Sequence, residues 1–218
     1  CTDTLYSAIT VRRPQLSISP NQTIFCPGAT VRICANNSSF ADFEWNNGVS
    51  DSCMLATSGG NYYATVTDDY GCTAQSNQVT VLAVTFTPQP ITASSTTICA
   101  NNSSMLCASS NYSAYHWTNG ATSRCIDVSA AGNYYVTVTN SIGCTAESNH
   151  LTIDVLESPP VSVSVSGDTL TSYGAVTYQW YLNGSPISGA ITEQYVTTQS
   201  GSYQILVTDT NGCSAISN

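Results

Sequence analysis

The stretch at residues 60–72, Gly-Asn-Tyr-Tyr-Ala-Thr-Val-Thr-Asp-Asp-Tyr-Gly-Cys, returns almost unchanged at 132–144 and more loosely between Gly201 and Cys213. Alternating apolar and polar residues, opened by Gly and closed by an Asp/Asn-x-Gly turn, read as a half-buried strand leading into a hairpin. Trp45 and Trp117, Cys53 and Cys125, and Cys72 and Cys144 each stand 72 residues apart, and Cys34 and Cys107 stand 73 apart. A repeat longer than about 50 residues can enclose a small core of its own, so the units are beads rather than solenoid turns.

Charge narrows the possible partners. The net charge is -9, only 8% of residues are charged, and the only cations are Arg12, Arg13, Arg32 and Arg124. A basic patch for nucleic acid is missing, so no nucleic-acid partner is expected. The absence of lysine excludes Lys-Asn isopeptide staples, Schiff-base chemistry and a Walker-type phosphate loop. Ten cysteines in phase with the repeat, with no Cys-x-x-Cys pair, point to disulfides in an oxidising compartment rather than to zinc, hence to an extracellular or cell-surface location. No apolar run reaches the roughly 18 residues of a membrane-spanning helix, and no signal sequence is seen, which fits a mature chain or a fragment.

Prolines divide the chain. Pro14, then Pro88 and Pro90, then Pro159 and Pro160 fall where the alternation breaks, as short stiff linkers do. The expected domains are 14–86, 87–157 and 158–218. In the first, strands are expected near 15–19, 29–35, 41–46 and 52–57, then along the Tyr62 segment and over 73–84. Residues 1–13 resemble the segment after Cys72, with Cys1 in phase with it, and read as an orphan last strand that completes a preceding or neighbouring domain. The third domain ends on Ser217-Asn218, which matches Ser76-Asn77 and Ser148-Asn149, and is expected to lack its last strand.

A Trp on the third strand (Trp45, Trp117, Trp180), followed by Gly-x-Tyr on the penultimate one (Tyr62, Tyr134, Tyr203), resembles the immunoglobulin-like sandwich, whose Trp fills the core and whose Tyr forms a corner. Ala64, Val136 and Ile205 stand where antibody domains carry the second core cysteine, so that inter-sheet disulfide is not expected. More specifically, Ser-Gly-Gly-Asn-Tyr-Tyr-Ala-Thr-Val-Thr-x-x-x-Gly-Cys, preceded by Thr-Ile-Cys and Trp-x-Asn-Gly, looks like the Ig-like and PKD-like repeats of large secreted and surface proteins of Bacteroidetes. The resemblance implies an all-β fold of tandem immunoglobulin-like β-sandwich domains in an elongated rod. It also implies an adhesive or spacer role of the kind found in type IX secretion cargo and gliding adhesins.

Within such a sandwich the second and fourth strands are antiparallel neighbours, which makes Cys34 with Cys53 and Cys107 with Cys125 reachable pairs. Cys26 and Cys99 then sit at one pole of their beads, and Cys72, Cys144 and Cys213 at the other. Two pairings stay open: Cys26 with Cys144 and Cys99 with Cys213 across bead junctions, or Cys26 with Cys72 and Cys99 with Cys144 within beads. On the first, Cys1 and Cys72 have no partner in the chain. Cys1 also suits a lipoprotein acylation site, although its phase favours the repeat.

Catalytic chemistry is not evident. His116 and His150 lie in different beads, without a Ser-x-Gly elbow or a carboxylate arrangement around them. Asp68-Asp69 and Asp209 lie in turns where Asp bonds its own backbone, and no cluster of about six oxygens for calcium is visible. No enzyme, no metal and no cofactor are expected. Tyr70, Tyr112 and Tyr181 could stack on sugars, so surface glycans are one candidate partner. Asn-x-Ser/Thr occurs at Asn21, Asn36, Asn37, Asn101, Asn102, Asn111 and Asn183, as expected in a chain this rich in Asn and Ser. Thr4 and Thr169, in Asp-Thr-Leu, resemble a short Bacteroidetes O-glycosylation motif.

Two roles follow. One is a disulfide-stapled filament subunit, in which the spare strand, with Leu5, Ser7, Ile9 and Val11, completes the third bead of the next copy head to tail. The other is a fragment of a large adhesin with a spacer or carbohydrate-binding role.

Overall fold

The computed structural model describes residues 14–40 and 42–218. Every regular element among them is a β-strand, and the sheets form tandem β-sandwich repeats. Two compact units are distinguished. The first takes the described residues up to Thr87 together with Thr139–Ala146, and the second takes Pro88–Val138 with Glu147–Asn218.

In the first unit, Ile18–Pro20, Val31–Ala35 and Cys53–Ala56 form one antiparallel sheet. A second sheet joins Asp42–Trp45, Ala64–Thr67 and Thr73–Gln75. A third sets Val79–Ala83 between Ile24–Phe25, to which it runs parallel, and Gly60–Tyr62, to which it runs antiparallel. The alternation of Val31–Ala35 turns Val31 and Ile33 inward, where they meet Ile18, Phe25, Trp45, Met54, Tyr62, Val79 and Val81. The indole N–H of the buried Trp45 donates to the Asp51 carbonyl at 2.7 Å, so its one polar atom is satisfied.

Two expected strands are each divided. The Tyr62 segment breaks at Tyr63, and the segment expected over 73–84 breaks at Ser76-Asn77-Gln78, so both strands of this hairpin change sheet at one level. Side chains make the change possible by replacing the ladder bonds lost there. Ser76 Oγ accepts from the Ala64 N–H at 3.0 Å and donates to the Asn77 carbonyl at 2.7 Å. Asn77 Oδ1 accepts from the Ile18 N–H at 2.9 Å, and Asn46 Oδ1 accepts from the Tyr63 N–H at 3.2 Å.

The second repeat keeps the plan, and the third varies it. Thr92–Ala93, Ser104–Cys107 and Cys125–Val128 form one sheet, and Thr97–Cys99, Leu151–Leu156 and Gly132–Tyr134 another. Ala114–Trp117, Val136–Thr139 and Thr145–Glu147 form the remaining sheet of this repeat. Ser148 takes the Ser76 role: its Oγ accepts from the N–H of the fully buried Val136 at 3.1 Å. Ser148→Ala removes that acceptor and leaves a buried donor unpaired, so it should cost about 1–3 kcal/mol in a denaturant titration.

The last repeat lacks the short strand that stands just before Cys26 in the first repeat and ends on Cys99 in the second. In its place Ser164–Ser166 and Thr169–Thr171 form a tight hairpin, with Gly167 (φ 59) at the turn. Thr177–Leu182 pairs with Tyr203–Thr208 along six residues without a change of sheet. The Asn183-Gly184 turn that follows has positive φ at both residues (51° and 79°), as a two-residue hairpin with this sequence demands.

Candidate functional site

Three features repeat with the period and can be compared copy by copy. The first is the tyrosine. The hydroxyl of Tyr62 donates to the Ser58 carbonyl at 2.7 Å, that of Tyr134 to Ala130 at 3.0 Å and that of Tyr203 to Gln199 at 2.8 Å, each four residues upstream. This is the corner geometry of immunoglobulin-like domains. Gly132 lies beside the Tyr134 ring, whose nearest carbon is 3.5 Å from where a Cβ would stand, an ordinary contact distance. Tyr134→Phe keeps the packing and loses one bond, and should lower stability by about 1 kcal/mol in thermal unfolding.

The second feature is the hairpin tip. Asp68 Oδ1 accepts from the N–H groups of Tyr70 (3.0 Å) and Cys72 (2.8 Å), and Gly71 (φ 78) closes the loop. Asn140 holds Ile142 and Cys144 in the same way, and Asp209 holds Asn211 and Cys213. The acidic turn residues thus bond their own backbone, and no group of three His, Cys, Asp or Glu that could hold a metal exists among the described residues.

The third feature is the disulfide set. Cys34 pairs with Cys53, and Cys107 with Cys125, each directly opposed across antiparallel strands with Cα atoms 4.1 Å apart. Cys26 pairs with Cys144 and Cys99 with Cys213, over sequence separations of 118 and 114. Both link a residue of one repeat to the hairpin tip of the next. Cys144 and Cys213 are fully buried, whereas Cys72, at the same place in the first repeat, is exposed and unpaired among the described residues. The within-bead pairings Cys26-Cys72 and Cys99-Cys144 are therefore not those of the structure.

Trp45, Trp117 and Trp180 are at most 1% exposed, and Tyr62 is buried, while Tyr134 and Tyr203 are half-buried. Leu5, Ser7, Ile9, Val11 and Thr4 lie outside the described residues, and Thr169 is half-buried in the tight hairpin. Of the tyrosines singled out for sugars, Tyr70 is 78% exposed at a hairpin tip and Tyr181 is half-buried. Tyr112 accepts the Gln89 N–H at 2.6 Å.

One group differs from expectation. His150 is not isolated from carboxylates: its Nε2 lies 2.8 Å from Glu147 Oε1, and its ring stacks on Tyr135 with centroids 4.3 Å apart. The Glu147 and His150 spacing was visible in the sequence, but the bend after Thr145–Glu147 that brings them together was not. His116, in the other expected position, is exposed on Ala114–Trp117.

The third repeat has a more open core. Five residues, Leu170, Trp180, Ala190, Ile205 and Val207, are buried in it and eight partly buried ones pack against them, whereas the first repeat has eleven buried and two partly buried. The first repeat includes Phe25, Val79 and Val81 from strands that have no counterpart among the described residues of the third. Val165 is paired directly with the buried Leu170, which places it on the same inward face, yet it is 69% exposed.

No family model matches the sequence, and no curated protein matches it. Solved structures with similar arrangements include murine CEACAM1b, at 13% identity and TM-score 0.31 over 65% of this chain and 100% of that one. The fibronectin(III)-like modules of Clostridium thermocellum CbhA match at 16% identity and TM-score 0.32, over 64% and 94%. Extracellular domains 3–5 of Drosophila OTK match at 13% identity and TM-score 0.30, over 96% and 97%. The sheets, the tyrosine corners and the buried tryptophans themselves define the chain as tandem immunoglobulin-like β-sandwich repeats.

Proposed function

We propose that this is a non-enzymatic structural protein of the cell surface, of the Bacteroidetes repeat kind, whose copies join head to tail by strand donation. The observation that carries the reading is the open core of the third repeat, in which most apolar side chains are only partly buried, with Val165 inward-facing and uncovered. Strands Val79–Ala83 and Leu151–Leu156 bury Val79, Val81 and Ile153 in the first two repeats. Residues 5–11 carry the same alternation, and Ile9 and Val11 match Val79 and Val81 with one extra residue in the segment after Cys1, since Ile9 stands eight residues past Cys1 and Val79 seven past Cys72. Set into the third repeat of a second copy, they would add a paired strand and cover apolar surface at once, which is how donated strands bind an incomplete sheet. A head-to-tail contact of this kind does not close on itself and propagates as a fibre.

Four disulfides suit an oxidising exterior, and among the described residues no helix is long and apolar enough to cross a membrane. A synthetic peptide of residues 2–13, added to a chain lacking residues 1–13, should raise the melting temperature of the third repeat and protect its amides from exchange. A peptide with Asp at positions 9 and 11 should do neither. Equal effects from both peptides, or none from the native one, would refute strand donation. A spacer within a longer covalent array is the second reading, favoured by exposed Cys72 standing where Cys144 and Cys213 are bonded.

A further inference from the structure

The outward face of the sheet Asp42–Trp45, Ala64–Thr67 and Thr73–Gln75 holds an open cleft of about 360 Å³ in the first repeat. Strand register builds it in two rows. Glu44, Thr65 and Gln75 stand directly opposite one another across the three strands. Asn46 and Tyr63 form the next row, joined by the Asn46 N–H to Tyr63 carbonyl bond at 3.1 Å, with the Gly48 turn at the edge. Asn46 spends its side chain on the backbone of Asn61 and Tyr63. The Glu44 carboxylate and the Gln75 amide are exposed and engage no partner among the described residues.

The second repeat shows what the same framework does when it is filled. There His150 stacks on Tyr135 at an interplanar angle of 13°, with its Nε2 on Glu147 and its Nδ1 3.1 Å from Asn133 Nδ2. One period earlier the equivalents are Tyr63, Gln75 and Asn61, but Gln78 replaces the imidazole, and the tyrosine lines an open cleft. The first repeat thus keeps the aromatic platform and the polar neighbour while lacking the planar group that covers them in the second.

From this geometry we propose that the cleft binds a neutral saccharide, one pyranose ring lying on Tyr63 and its hydroxyls shared among Glu44, Thr65 and Gln75. An aromatic face takes the apolar face of the sugar, and a carboxylate and an amide supply the strong acceptors and the donor that hydroxyls need. Three strands at about 4.8 Å spacing make a platform about 10 Å wide, room for two linked sugar rings. The face carries a carboxylate and no cation, in a chain of net charge -9, which selects against acidic polysaccharides.

The test is an amide-shift NMR titration of the intact chain with cellohexaose, xylohexaose, mannohexaose and hexagalacturonate. At least one neutral hexasaccharide should shift the amides of Glu44, Asn46, Tyr63, Thr65 and Gln75 at millimolar concentration, and hexagalacturonate should not. Tyr63→Ala should weaken that binding by about tenfold or more, Tyr63→Phe by less than about threefold, and Tyr135→Ala not at all. The proposal is overturned if no neutral hexasaccharide moves these amides, if only the acidic one does, or if Tyr63→Ala retains its spectrum and binds unchanged. Fibre formation is a separate readout, so neither result depends on strand donation.

Discussion

Replacing Cys99 and Cys213 together by Ala should destabilise the second unit by about 5 kcal/mol, more than replacing Cys107 and Cys125, which should cost about 3 kcal/mol. Both pairs are bonded, but the first closes a separation of 114 residues and the second one of 18. In the chain-entropy model the longer loop restrains the unfolded chain more. Cys213 is also fully buried at the hairpin tip that Asp209 organises, so the long bridge holds a preformed turn in place. Calorimetry on the two double variants should show the larger fall in melting temperature for the long bridge. Equal falls would mean that local packing, not chain connectivity, sets the contribution of these bonds. The same ordering is expected for Cys26 with Cys144 against Cys34 with Cys53, in the first unit.

Trp180→Ala should cost about 3–5 kcal/mol and unfold the third repeat while the others persist. Trp180 is fully buried, its N–H donates to the Thr192 carbonyl at 3.0 Å, and it is the largest of only five buried residues in that cluster. Trp45→Ala removes a side chain of the same size from a cluster of eleven, so the first repeat has more core to lose before it opens. Hydrogen exchange resolved by repeat should therefore show global-type exposure over 177–208 in the Trp180 variant and only weakened protection over 42–67 in the Trp45 variant. Loss of protection in all repeats alike would show that they unfold as one cooperative unit.

What could be read from the sequence was whatever repeats. Trp and Gly-x-Tyr announce a core and a corner because each needs one residue type at one place, and the strands around them alternate cleanly. The change of sheet at Tyr63 and Ser76 was not legible, since alternation continues through it and only the hydroxyl bridging Ala64 and Asn77 reveals the break. Ile24–Phe25 is two residues long, too short for any period, and it runs parallel to a strand more than fifty residues on. In the third repeat the tight hairpin at Gly167, which stands in place of that short strand, was not legible either.

The candidate sites divide along the same line. Cysteine phase reflects repeat geometry, so the residues facing each junction could be named, although phase alone left two connectivities open. The cleft over Tyr63 escaped notice because its residues come from three strands and are ordinary polar types singly. Only the register that sets Glu44, Thr65 and Gln75 in one row, and the contrast with His150 on Tyr135, makes them a site.

Negative-stain microscopy and light scattering of the purified chain, beside a variant lacking residues 1–13, test strand donation between copies most directly. Strand donation predicts fibres from the intact chain at micromolar concentration and monomers from the truncated one, with fibres abolished equally by Ile9→Asp with Val11→Asp. Monomers from both, or fibres from both, would contradict it.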